Sequence, residues 1–165
     1  TEAHGGTWFA AAVGEVNVTT KMHEVGALIG GEGNGGVIYP ASHCGRDAMV
    51  GVALFLSKLA HNGMSVSAYK ATLPQYAIAK NRIDLSDKAL IDRILNAMKD
   101  HYSNEKVNTI DGVKIDFEES RSWVHLRRSN TEPIIRIYSE APTQARAEAL
   151  GEEVVALARS IIADV

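Results

Sequence analysis

Apolar and polar positions alternate with two different rhythms along this chain. In the second half, residues 86–99 place Leu90, Ile91, Ile94, Leu95 and Met98 on one helical stripe, with Ser86 ahead of them as an N-cap. Residues 107–110 and 113–117 read as two strands around Asp111-Gly112, a strong hairpin signal. Val113, Ile115 and Phe117 alternate with Lys114, Asp116 and Glu118, as a half-buried antiparallel strand requires. Residues 75–85, 123–127 and 134–138 are also predicted extended. Pro142-Thr143 opens a last helix that turns Leu150, Val154, Leu157, Ala158 and Ile161 inward.

The first half is shorter in its periods. Residues 8–13 and 27–29 are apolar runs predicted as buried strands, and residues 37–39 form another, stopped by Pro40. Residues 17–25 carry Val18, Met22 and Val25 at near-helical spacing. Residues 47–60 predict a helix capped by Asp47 and ended by Gly63, with Val50, Val52, Phe55, Leu56 and Leu59 around most of its circumference. Such coverage predicts burial on several sides. Met22, Met49, Met64 and Met98 read as ordinary core or helix residues. The fold class that follows is an incomplete α/β layered domain over residues 1–72. An α+β domain over residues 73–165 follows it, a small antiparallel sheet with helices packed on one face.

Composition narrows the function classes. Of 165 residues, 17 are Lys or Arg and 20 are Asp or Glu, a net charge of −3 that speaks against general nucleic-acid binding and offers no polybasic membrane face. No apolar run approaches the roughly 20 residues that cross a bilayer. A single cysteine, Cys44, excludes an internal disulfide and fits a reducing, cytoplasmic compartment. The chain starts at Thr1 without a signal sequence, which is expected of a processed product or of a piece of a longer protein.

Two loops carry the chemistry. Six of the 14 glycines fall between Gly26 and Gly36, around Gly30-Gly31-Glu32-Gly33-Asn34-Gly35-Gly36. Gly31, Gly33 and Gly36 formally satisfy a dinucleotide fingerprint, but an extended run follows where a pyrophosphate-binding helix should begin. Glu32 and Asn34 offer hydroxyl acceptors and a donor, a set suited to a polyol such as a sugar ring. The plain alternative is a glycine-rich turn with a solvated Glu. The second loop, Arg127-Arg128-Ser129-Asn130-Thr131-Glu132-Pro133, gathers two guanidinium groups, two hydroxyls and a carboxamide, the parts of a phosphate clamp. Its alternative is an exposed turn with solvated arginines. Arg136 stands ready to neutralise Glu132, and Arg46 to face the same cleft as Glu32. His43-Cys44 lacks further ligands at metal spacing, His125 reads as structural, Glu118-Glu119 as a solvated turn, and no catalytic residue or metal ligand is assigned within this chain.

Together these loops resemble the α-D-phosphohexomutase family, which includes phosphoglucosamine mutases, phosphomannomutases and phosphoglucomutases. The resemblance extends to Val13-Gly14-Glu15, Lys21-Met22, Gly45-Arg46-Asp47 and Asp111-Gly112-Val113. Family members have four domains, and this chain is similar to most of the third and the whole of the fourth. The resemblance implies that Glu32, Asn34 and Glu15 face the sugar, while Arg127, Ser129, Asn130 and Thr131 hold the phosphate that is not being transferred. Many members have Ser at the position of Asn34 and His at that of Gly36; the form here resembles an archaeal-type branch.

The family's phosphoserine loop and magnesium loop are not in this chain. The resemblance therefore implies an intramolecular phosphotransferase whose full-length form interconverts hexose 6-phosphate and hexose 1-phosphate. It would act through a phosphoserine and a hexose bisphosphate, with Mg2+ bound elsewhere. The implied partners are a phosphosugar and the missing N-terminal domains, and the isolated piece is expected to be inactive. The alternative is a stand-alone, non-catalytic phosphosugar-binding module.

Overall fold

The computed structural model describes residues 1–85, 89–129 and 132–163. The chain divides into two units, Thr1–Pro74 and Gln75–Val165.

In the second unit the period-two pattern becomes a five-stranded antiparallel sheet. Its strands are β4 (Ala77–Asp84), β5 (Lys106–Asn108), β6 (Val113–Phe117), β7 (Ser122–Arg128) and β8 (Ile134–Ala141), in the order β4-β8-β7-β6-β5. The register puts Ile83 opposite Ile135, Leu126 opposite Ile137, Val113 opposite Leu126 and Ile115 opposite Val124. All of these are buried on one face, so the apolar set of each strand meets the apolar set of its neighbour.

Helices α4 (Ala89–His101) and α5 (Gln144–Ala163) cover that face. Ile91, Ile94 and Met98 from α4, and Leu150, Val154 and Ala158 from α5, join the strand residues in a single core. Leu90, Leu95, Leu157 and Ile161 pack partly buried at its margin. The Thr143 hydroxyl accepts from the Arg146 N–H and caps α5. Ser86, the expected cap of α4, lies outside the described residues. The opposite face of the sheet carries Lys80, Arg82, Arg136, Tyr138, Trp123, His125 and Arg127, the polar halves of the same alternation.

The hairpin differs from its sequence expectation in the turn. Asn108 pairs with Lys114, so the connection spans five residues rather than two, and β5 ends before Ile110. The Asn108 side chain accepts from the Ile110 N–H, which folds the chain away from the ladder there.

The first unit is thinner. Helix α1 (Glu15–Val25) is followed by β1 (Gly30–Gly31), β2 (Val37–Tyr39) and β3 (His43–Arg46), an antiparallel sheet in that order. Helices α2 (Ala48–Asn62) and α3 (Val66–Ala71) complete it. Successive residues of β2 serve different helices: Ile38 lies beside Thr19 and Met22 of α1, while Val37 faces Gly51 of α2. Asp47 caps α2 by accepting from the Val50 N–H, and Gly63 ends it, both as the sequence predicts.

Four expectations fail here. Residues 8–13 form no strand, and Trp8 is 58% exposed; no strand of the described residues lies beside them to complete a ladder. Residues 27–29 are likewise unpaired, with Leu28 84% exposed. Helix α2 buries only Leu59; Val52 and Leu56 stay open, and Phe55, although it meets the Tyr69 ring of α3, is 41% exposed. Of the methionines expected in core or helix, Met22 and Met98 are buried and Met49 lies exposed on α2, while Met64, exposed and outside any helix, fails the expectation.

Candidate functional site

The glycine loop is a tight turn built around Glu32. The Glu32 N–H donates to the Gly36 carbonyl, and the Gly35 N–H returns to the Glu32 carbonyl. A strand follows Gly36, not a helix, which removes the dinucleotide reading. Asn34 uses its side-chain oxygen to accept from the Gly36 N–H at 3.0 Å, so its amide is fixed within the turn.

Glu32 points inward; its side chain is only 13% exposed. One carboxylate oxygen accepts from the Gly14 N–H at 3.2 Å, and the other stands 3.9 Å from Arg46 Nη1. Gly14 is the N-cap of α1, and the next residue, Glu15, reaches the same arginine from the other side. Glu15 accepts from the Arg46 backbone N–H at 2.8 Å and from Arg46 Nε at 2.9 Å. The structure thus gathers Glu15, Glu32 and Arg46, three residues from three separate segments. The Arg46 backbone bond first, then its side-chain bond, hold the Glu15 carboxyl below the usual glutamate range. His43 contributes weakly in the same direction.

The arginine loop begins at the end of β7. Arg127 and Arg128 are neighbours in an extended strand, so they leave it on opposite faces. Arg128 turns to the helix side and pairs with Asp92 of α4. Arg127 turns to the open side, where Asp111 Oδ2 lies 3.4 Å from its Nε. That Nε is buried and has no hydrogen bond among the described residues, because the ion pair is too poorly aligned to make one. Ser129 is buried, and its N–H donates to the Ile134 carbonyl, which closes the base of the loop. Arg136 stands 3.9 Å from Glu132, as a neutralising partner would. Asn130 and Thr131 lie outside the described residues.

Asp111 is the partner that sequence spacing did not find. The Asp111 carbonyl is bonded to His125 Nε2 on β7 at 2.5 Å, so the expected structural histidine fastens this turn. Gly112 makes the approach possible. Its φ is +74°, and a Cβ there would lie 2.2 Å from the Leu126 carbonyl oxygen. A side chain at 112 would lift Asp111 away from Arg127. The signal was an Asp-Gly pair facing a strand with His and Arg two positions apart, but only the register reveals the facing.

Among the described residues no three His, Cys, Asp or Glu side chains gather as a metal site. None of the described helices is long and apolar enough to cross a membrane.

Comparison with known proteins identifies the family. Residues 1–76 match the model of phosphoglucomutase/phosphomannomutase, alpha/beta/alpha domain III. Residues 82–157 match that of the phosphoglucomutase/phosphomannomutase C-terminal domain. The chain belongs to the phosphoglucomutase/phosphomannomutase family. A probable phosphoglucosamine mutase of Methanopyrus kandleri is 32% identical over 98% of this chain and 35% of its own length. A phosphoglucosamine/phosphogalactosamine mutase of Sulfurisphaera tokodaii is 37% identical over 86% of this chain and 31% of its own. A phosphoglucomutase/phosphomannomutase of Thermococcus kodakarensis is 38% identical over 82% of this chain. A crystal structure of a family member from Burkholderia thailandensis superposes with a TM-score of 0.66 at 26% identity, covering 89% of this chain and 32% of that one. The chain thus spans about a third of the length of the relatives it matches.

Proposed function

We propose that this chain is the sugar-reading and phosphate-holding part of a phosphohexomutase, the whole protein interconverting hexose 6-phosphate and hexose 1-phosphate. Residues 1–72 are then the C-terminal part of the family's third domain and residues 73–165 its fourth. The observation that carries the reading is Arg127: a guanidinium with a buried, unbonded Nε, held at the head of a loop in a chain matched to two successive domains of one family.

In this reading Arg127, Ser129, Asn130 and Thr131 grip the phosphate that stays in place. Arginine offers a planar fork to phosphate oxygens, and the loop's hydroxyls and amides complete the cradle. Glu32, Asn34 and Glu15 order the sugar hydroxyls. A serine outside this chain donates its phosphoryl group to a free sugar hydroxyl, giving a hexose bisphosphate. The intermediate turns over, and the other phosphate returns to the serine, whose hydroxyl proton passes to the sugar oxygen that is released. Two separate grips, one for hydroxyls and one for the idle phosphate, let the site hold both orientations. Positioning and charge neutralisation are what phosphoryl transfer asks of such residues. Magnesium, which neutralises charge on the moving phosphoryl group, would be held by residues outside this chain, as the family resemblance implies.

Phosphorus NMR tests the reading. The longest natural form of the protein, with magnesium and a trace of hexose bisphosphate, should convert glucosamine, glucose or mannose 6-phosphate to the 1-phosphate. The 165-residue chain alone should convert none. Turnover by the chain alone would overturn the division of labour, and binding without turnover by the longest form would make it a phosphosugar-binding module.

A further inference from the structure

The role of Arg46 reaches beyond tethering a loop. Its backbone N–H and Nε hold Glu15, its Nη1 faces Glu32 at 3.9 Å, and its side chain is still 52% exposed. Two carboxylates and one guanidinium leave this cluster one net negative charge. His43 is the other titratable group felt by Glu15.

The stem of Arg46 lies against Gly36. A Cβ at position 36 would come within 2.9 Å of Arg46 Cδ and 3.3 Å of Arg46 Cγ. The backbone at Gly36 is not in the left-handed region, so the glycine is there for the arginine's space and not for its φ. Gly36 and Arg46 are therefore one packing unit.

We propose that Arg46, seated against Gly36, sets the site's preference between amino and neutral sugar phosphates by neutralising one of the two carboxylates. This rests on the reading of Glu15 and Glu32 as sugar-facing. Glucosamine 6-phosphate carries an ammonium group at C2, while glucose and mannose 6-phosphates carry a hydroxyl there. With Arg46 present, the ammonium meets one net negative charge and a nearby guanidinium. Without the guanidinium it meets two carboxylates, and the neutral sugars gain nothing comparable. A unit charge about 4 Å away is worth about fivefold in binding even when screened as in bulk water. A fully charged lysine in place of arginine keeps the charge and loses the fork that orders the carboxylates.

The test compares binding of glucosamine 6-phosphate and glucose 6-phosphate by calorimetry at pH 8, using the longest natural form of the protein. Arg46→Met is expected to raise the ratio of amino-sugar to neutral-sugar affinity by about fivefold or more, and the rise should shrink at 1 M salt. Arg46→Lys is expected to weaken both sugars while leaving the ratio within about twofold of the original. Gly36→Ala, which displaces the arginine without removing it, is expected to move the ratio in the same direction as Arg46→Met by a smaller factor, and it keeps the test open if Arg46→Met fails to fold. An unchanged ratio in both Arg46→Met and Gly36→Ala, or a shift toward glucose 6-phosphate, would overturn the proposal while leaving the phosphohexomutase reading in place. If the unsubstituted protein binds neither sugar, that reading falls and this one with it.

Discussion

Arg127 and Arg128 are adjacent in β7 and answer to carboxylates on opposite sides of the sheet. Arg127 faces Asp111 on the open side, and Arg128 pairs with Asp92 of helix α4. One residue of strand register separates the proposed phosphate-holding position from one tied to helix α4. Arg127→Ala is expected to lower kcat/KM of the whole enzyme by about a hundredfold, the scale of losing a desolvated charge-assisted bond. Arg128→Ala removes an exposed ion pair and should change it by less than about fivefold. Equal losses in steady-state assays of the two variants would contradict the assignment.

Asp111 holds Arg127 in place through a turn pressed onto β7. Gly112→Ala puts a Cβ into the Leu126 carbonyl at a positive φ, and the turn must lift. The expected cost is about 1–3 kcal/mol of stability, read by urea denaturation. Asp111→Asn should cost less than that in stability yet raise KM for the phosphosugar several-fold, because the arginine keeps its packing and loses its counter-charge. Stability loss without any change in KM would make Asp111 a purely structural residue.

How much of this was legible depended on which element supplies the other side of a contact. The strands of the second unit could be read from Ile115, Val124, Leu126 and Ile137, since partners for both their edges and their buried face lie within the chain. Residues 8–13 have the same apolar character and no neighbouring strand among the described residues, so the pattern alone misplaced them. The two loops were visible as clusters of chemistry. The pairing of Arg127 with Asp111, and of Arg46 with Glu15, was not, because register and tertiary approach bring those residues together across 16 to 31 positions of sequence. Arg46 could be suspected of facing Glu32; its grip on Glu15 required the fold.

Glu15 gives the glycine loop a defined acid sensitivity. Its folded pKa is depressed by the Arg46 bonds, so the stability it contributes is complete above the unfolded glutamate value of 4.5 and is lost as pH falls through the lower folded value. The Arg46 amide resonance in proton–nitrogen NMR should therefore hold steady on acidification and titrate with a midpoint below 4.5. Glu15→Gln should abolish that titration. A midpoint above 4.5 would mean that the Arg46 bonds are absent in solution.

The two units should respond differently to loss of an apolar side chain. Ile137 is fully buried in the sheet core, and Ile137→Ala should cost about 2–5 kcal/mol in urea denaturation. Leu56 is 56% exposed on α2, so Leu56→Ser should change stability by less than about 1 kcal/mol. Light scattering on the 165-residue chain should then show less self-association for Leu56→Ser than for the parent, since an exposed apolar patch is removed. Undiminished self-association would place the sticky surface elsewhere.

The most direct measurement is a crystal structure of the whole protein with a bound hexose 6-phosphate. The idle phosphate should lie within hydrogen-bonding distance of Arg127 and the loop that follows it, with sugar hydroxyls against Glu32. A phosphate held away from Arg127, with the Asp111 ion pair undisturbed and the glycine loop empty, would contradict it.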